Sequence, residues 1–316
     1  MIRSLLVKSA LAGALSLAAV TAQAAELKVM LDWFINPDHG PLFVAEERGY
    51  FKDAGLEVTL QPPADPNDPP KLVAAGKYDL AVSYQPQLHL QIDAGLPLVR
   101  IATLVATPLN TIVVLKDSPI KTIADLKGKR IGFSVGGLED ALLGSVLHNH
   151  GLSMKDVTLV NVNWSLSPSL IAGKVDAVIG AYRNFELNQM DIVGHSGRAF
   201  YLEEEGVPAY DELIVVAHKD KLTDPRFKAF NDAIERGVQY MINHPDDAWK
   251  LFISGKRKEL DDELNRRAWR DTLARFALRP AALDVGRYER FAQFLAEREL
   301  IKNPPAVGTY AVDLGR

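Results

Sequence analysis

Residues 72–84 and 170–182 are loose copies of each other. Ala75-Gly76-Lys77-Tyr78-Asp79 recurs as Ala172-Gly173-Lys174-Val175-Asp176, each copy after a short helix pattern and before an apolar run. Each reads as a helix, a glycine stop and a strand. Glycine supplies the left-handed position just past a helix, and Leu80-Ala81-Val82 or Ala177-Val178-Ile179 reads as a buried parallel strand. A duplicated unit of this kind predicts two similar α/β lobes. Both strands run into a tyrosine, Tyr84 or Tyr182. Ligands of open α/β sheets sit beyond the carboxyl ends of the strands, so the two tyrosines are expected to face one cleft from its two sides.

The termini and composition narrow the class. Arg3 and Lys8 precede an apolar stretch from Ala10 to Val20 and the small-x-small sequence Ala22-Gln23-Ala24, the pattern of a secretory leader (1–24) cleaved near Ala24. The stretch is shorter than the ~20 apolar residues a membrane-spanning helix needs. Removing 24 of the 316 residues leaves 292, enough for two lobes with real cores. The chain has no cysteine. Disulfides, thiol nucleophiles, thiolate metal sites and a lipid-bearing cysteine are therefore excluded. A formal net charge of -4 gives no basic footprint for nucleic acid. Soluble export to a bacterial periplasm, as a monomer, is the expectation.

Along the chain, Leu27–Leu31 reads as a first strand, followed by the loop Asp32-Trp33-Phe34-Ile35-Asn36-Pro37-Asp38-His39-Gly40 and a helix opened by Pro41. Pro62–Pro70 holds five prolines and reads as a loop. The first lobe is expected to comprise 25–108 and about 219–316, the second 109–218, with crossings near 104–116 and 211–219. In the C-terminal part Phe227, Phe230, Ile234 and Val238 share one helical face, as do Tyr288, Phe291, Phe294 and Leu295, so these helices are expected to brace the lobes.

Several stretches in order carry a resemblance. They are Leu31-Asp32-Trp33-x-x-Asn36-x-x-His39-Gly40-Pro41, Val44-Ala45-x-x-x-Gly49-Tyr50-Phe51, Asp79-x-x-x-Ser83-Tyr84-Gln85-Pro86-Gln87 and Gly180-Ala181-Tyr182-x-x-x-Glu186. Together they resemble the ThiY-type, NMT1/THI5-like periplasmic binding proteins for thiamin-pyrimidine precursors. The resemblance implies a two-lobed periplasmic binding fold of type II, each lobe a mostly parallel sheet flanked by helices, with the ligand cleft between them. It also implies service to an ABC permease in the inner membrane. The family is similar in fold to the enzymes that synthesise hydroxymethylpyrimidine phosphate. Those carry a cysteine-rich iron motif, and a lysine and a histidine where this chain has Ser83 and Gln87. Donation of a histidine or a pyridoxal Schiff base is thus disfavoured, and binding without a cofactor is favoured over synthesis.

The candidate ligand contacts follow from residue chemistry. Trp33, Tyr84 and Tyr182 suit a flat heterocycle, the alternative being three core aromatics. Glu186 stands four residues after Tyr182 and offers the acceptor an aminopyrimidine edge needs, unless it is a solvated glutamate. Asn36 and Gln85 can donate and accept, or cap their own loops. His39 before Gly40-Pro41 caps a helix or donates to a ligand; Asp32 belongs to the same loop. Gly136 and Gly137 open a helix and offer backbone amides, although no Lys-Ser/Thr follows to make a phosphate loop. Trp164 closes the cleft or sits in the core. His148-Asn149-His150 reads as a helix end rather than a metal site, and no nucleophile motif accompanies a base. The competing readings are a same-fold binder of a sulfonate, an aromatic acid or a riboflavin-like ring, and a pyrimidine-synthesising enzyme.

Overall fold

The computed structural model describes residues 24–315, so the expected leader lies outside the described residues apart from Ala24. Among the described residues, ten strands form two five-stranded sheets. The first contains β1 (Ala25–Met30), β2 (Leu56–Gln61), β3 (Leu80–Ser83), β4 (Leu98–Val105) and β10 (Leu213–His218) in the order β2-β1-β3-β10-β4. The second contains β5 (Asn110–Leu115), β6 (Arg130–Phe133), β7 (Thr158–Asn161), β8 (Ala177–Tyr182) and β9 (Gly197–Tyr201) in the order β7-β6-β8-β5-β9. In each sheet four strands run one way and one, β10 or β5, opposes its neighbours. The two sheets therefore share one topology.

The repeat explains how each sheet is pinned. Gly76 and Gly173 take φ of 70° and 66°, the left-handed stop the sequence predicts. Three residues on, Asp79 Oδ2 accepts the Lys28 N–H at 3.0 Å and Asp176 Oδ2 accepts the Arg130 N–H at 2.9 Å. The backbone of each aspartate answers, its N–H donating to the carbonyl of Lys28 or Arg130. The recurring aspartate thus fixes the register of the parallel pairs β1/β3 and β6/β8 from one end, and the tyrosines emerge together at the other.

The stretches read as crossings are largely strands. Thr111–Leu115 belongs to β5 and Leu213–His218 to β10, each buried in its sheet. The chain passes between sheets in 106–109 and 202–212. The apolar content of β5 and β10 has its cause in burial on both faces by this mixed topology.

The C-terminal helices Pro225–Asn243 and Val285–Glu297 pack on the first lobe along the faces their periodicity predicts, rather than bracing both lobes. Phe227, Phe230, Ile234 and Val238 of helix Pro225–Asn243 are buried, as are Tyr288, Phe291, Phe294 and Leu295 of helix Val285–Glu297. Arg100 on β4 ties the chain end to the sheet. It is fully buried, and its guanidinium donates to the carbonyls of Pro280, Ala281, Ala282 and Val312 and to Thr103 Oγ1, at 2.5–3.0 Å. Four backbone acceptors would lose their partner without it. Arg100→Met is expected to cost on the order of 3–5 kcal/mol in urea unfolding; a loss under ~1 kcal/mol would show that the C-terminal segment is held by packing alone.

Candidate functional site

One cavity lies where the carboxyl ends of β1, β3 and β8 approach each other. It encloses about 550 Å³ of empty space, open mouth included. Asp32, Trp33, Asn36, Asp38 and Tyr84 line it from the first lobe. Val135, Leu138, Glu139, Leu166, Gly180, Phe185 and Glu186 line it from the second, joined by Asn110, Tyr182, Glu212 and Leu213. No lysine, arginine or histidine stands among these described lining residues.

The five carboxyl groups of the lining, Asp32, Asp38, Glu139, Glu186 and Glu212, are all buried. Each is met by neutral donors or a histidine. Asp32 accepts Tyr84 Oη–H at 2.9 Å and faces His39 Nε2 at 2.8 Å. The Asn36 N–H points at His39 Nδ1, 3.4 Å away, which makes Nε2 the protonated nitrogen that donates to Asp32. Asp38 accepts from Asn184 Nδ2 at 2.6 Å and Thr272 Oγ1 at 2.9 Å. Glu186 accepts the Tyr182 N–H at 2.7 Å, and Glu139 the Ser134 N–H at 2.6 Å. Glu212 accepts the N–H groups of Leu109 and Asn110 at 2.5 and 2.9 Å and the Tyr182 hydroxyl at 3.2 Å.

Burial dominates the acidity of these groups. It pushes Asp38 up to about 6, Glu186 and Glu212 up to about 7 and Glu139 up to about 8, against the opposing effect of their hydrogen bonds. Burial likewise holds the Tyr84 and Tyr182 hydroxyls well above the ordinary phenol range, so both remain donors.

The mouth of the cavity is aromatic. Trp33 of the first lobe and Trp164 of the second meet with ring centroids 4.3 Å apart, and Phe34, 40% exposed, lies 5.7 Å from Phe185. Polar contacts also join the lobes: Asn184 to Asp38, and the Gly136 N–H to Asn67 Oδ1 at 2.9 Å.

Of the residues singled out from sequence, Asp32, Trp33, Asn36, Tyr84, Tyr182 and Glu186 line the cavity together. His39 does not line it; it is fully buried behind Asp32, which it orients. Gln85 does not either: its Oε1 accepts the Asp211 N–H at 2.8 Å, which ties its helix to the segment entering β10. Gly136 gives its N–H to Asn67 rather than to the cavity, and Gly137, with φ of 82°, turns the chain into the helix Leu138–Asn149 without lining the site. Trp164 reaches the mouth through Trp33. Sequence reasoning passed over Asp38, Glu139 and Glu212. Glu139 had a signal, an acidic residue in the first turn of a helix after Gly136-Gly137; Glu212, between an irregular segment and an apolar run, had none.

An acid whose pKa is higher folded than unfolded holds more protons in the folded state. Its contribution to stability is complete below the unfolded value, near 4.5 for glutamate, and is lost as pH rises through the folded value. The unliganded protein is therefore expected to melt at a higher temperature at pH 5.5 than at pH 8.5. Glu139→Gln should flatten that dependence. Thermal unfolding at the two pH values checks both, and a wild-type protein that melts higher at pH 8.5 would contradict the neutral state of these carboxyls.

The family model described as NMT1/THI5 like matches residues 36–248. A Haemophilus influenzae protein named for thiamine biosynthesis is 54% identical over 289 residues, 92% of each chain. The formylaminopyrimidine-binding protein of Halalkalibacterium halodurans is 33% identical over 232 residues, covering 73% of this chain and 70% of that one. Among solved structures, the alkanesulfonate-binding protein SsuA from Xanthomonas axonopodis pv. citri, bound to MOPS, superposes with a TM-score of 0.71 at 18% identity, over 91% of this chain and 98% of that one. This last likeness shows the two-lobed fold. The chain belongs to the NMT1/THI5-like family.

Proposed function

We propose that this chain is the substrate-binding component of an ABC importer, exported to the periplasm, and that it captures a small thiamin-related aminopyrimidine between its lobes. The observation that carries this reading is a cavity lined by aromatic rings and five buried carboxyls with no cation among its described lining residues. An anionic solute would lie beside acidic groups without a counter-charge. A flat ring with an exocyclic amine suits Trp33, Tyr84 and Tyr182 as stacking partners and Glu186 as acceptor. The similarity to a formylaminopyrimidine-binding protein points to the same ligand class. No described helix is long and apolar enough to cross a membrane, in keeping with a protein that meets its permease from outside the bilayer.

Binding is favoured over synthesis at the positions where the related enzymes carry lysine and histidine. Ser83 and Gln87 occupy them here and bond to each other at 3.0 Å. Closure follows from the ligand touching both lobes, since only contacts absent from the open state shift the equilibrium. Trp33 with Trp164, and Asn184 with Asp38, are the contacts that meet between the lobes.

The test is thermal unfolding of the mature protein with hydroxymethylpyrimidine, formylaminopyrimidine, thiamin, riboflavin, taurine and benzoate. A ligand at 100 times its Kd adds about 2.7 kcal/mol, a shift of a few degrees for a chain of this length. The pyrimidines are expected to give that shift; a shift with taurine or benzoate alone would replace the ligand class. Trp33→Ala and Tyr182→Ala should each weaken pyrimidine binding by about 1–3 kcal/mol in calorimetry while the fold persists.

A carboxyl and an aminopyrimidine edge hold one proton between them across two hydrogen bonds. Above the Glu186 value of about 7 that proton must be taken up from solvent. Affinity is accordingly expected to fall by up to about tenfold per pH unit above 7, and a Kd unchanged between pH 6 and 9 would remove Glu186 from that role.

A further inference from the structure

Glu139 sits in the first turn of helix Leu138–Asn149, and its side chain folds back so that Oε2 accepts the Ser134 N–H. The turn that leads into a helix is where uncommitted N–H groups ordinarily gather, and such a group of donors suits a phosphate or sulfonate oxygen. In this chain two of the N–H groups in that turn already have side-chain acceptors. Glu139 takes the Ser134 N–H, and Asn67, reaching across from the first lobe, takes the Gly136 N–H.

The space beside them is taken as well. Glu139 Oε1 lies 2.0 Å from where a Cβ at position 180 would stand, and Gly180 has φ of +93°. A glycine on β8 is what makes room for the carboxyl. The group is only 4% exposed and lines the ligand cavity.

We propose that Glu139 is a specificity-determining residue that fills the amide cradle before its helix and so closes the cavity to phosphate and sulfonate groups. The cavity then accepts an uncharged pyrimidine and refuses its phosphate ester. The choice of pyrimidine rests on the function proposed above, whereas occupancy of the cradle does not. An incoming oxyanion would need the same N–H donors and the same volume. Exclusion by an already occupied slot is a repulsive route to specificity.

The experiment compares wild type, Glu139→Gln and Glu139→Ser by calorimetry and thermal unfolding. The probes are inorganic phosphate, methanesulfonate, hydroxymethylpyrimidine and its phosphate ester. Glutamine keeps the slot filled and serine empties it. Wild type and Glu139→Gln are expected to prefer the pyrimidine over its ester, with no response to inorganic phosphate. In Glu139→Ser the preference should move by about tenfold or more toward the ester, with stabilisation by inorganic phosphate. Should the serine variant not fold, Glu139→Asp, whose shorter arm withdraws the carboxyl from Ser134 and Gly180, is expected to show the same gain. An unmoved preference with no phosphate response in a folded serine or aspartate variant would overturn the proposal. So would a glutamine variant that gains phosphate as strongly as serine. A wild type that binds no pyrimidine, alongside a serine variant that gains phosphate, would discard the ligand class and uphold the role of Glu139.

Discussion

A carboxyl group out of water must be neutral or be met by donors, and this cleft holds five of them without a lysine or arginine in its described lining. The surroundings of each are built to that requirement. Backbone N–H groups serve Glu139, Glu186 and Glu212, hydroxyls serve Asp32, Asp38 and Glu212, and a histidine with its proton on Nε2 serves Asp32. The cleft is consequently acidic in composition but, for Glu139, Glu186 and Glu212, close to half-protonated or neutral near pH 7. Such a site discriminates by hydrogen-bond pattern and shape more than by net charge.

That arrangement depends on two sheets whose strands end at one place. The aspartates of the repeat lock the far ends of β1/β3 and β6/β8, so the near ends deliver Tyr84 and Tyr182 to the cleft with little freedom. Tyr84 then bonds Asp32 and Tyr182 bonds Glu212. Glu212 in turn holds Leu109 and Asn110, at the first passage between the sheets, from its own place at the end of the second passage. The ligand cavity and the connections between the lobes thus share one carboxyl.

The loop Asp32–His39 shows how much function a short irregular segment carries when a rigid scaffold holds it. Asn36 Oδ1 accepts the Asp38 N–H at 2.9 Å and shapes the turn. Trp33 covers the mouth while Asp32 and Asp38 enter the floor. His39, buried and pointed at Asp32, contributes orientation rather than contact.

The sequence by itself determined the two-lobe plan, because a repeated helix, glycine and strand carries its geometry in local preferences and in the period of its apolar residues. It also determined that Trp33, Asn36, Tyr84, Tyr182 and Glu186 stand near strand ends, and hence near a cleft. Tertiary structure decided the rest. Whether an apolar run such as 111–115 or 213–217 is a passage or a sheet strand depends on pairing with residues about 70 to 130 positions away, which no local pattern records. Gln85 and His39 have the chemistry of ligand contacts, but their partners Asp211 and Asp32 turn them to structural use. Glu139 and Glu212 look like ordinary solvated glutamates in the chain. Only the folding of Glu139 onto Ser134 and Gly180, and of Glu212 onto both passages and Tyr182, takes them out of water and places them in the lining of the cavity.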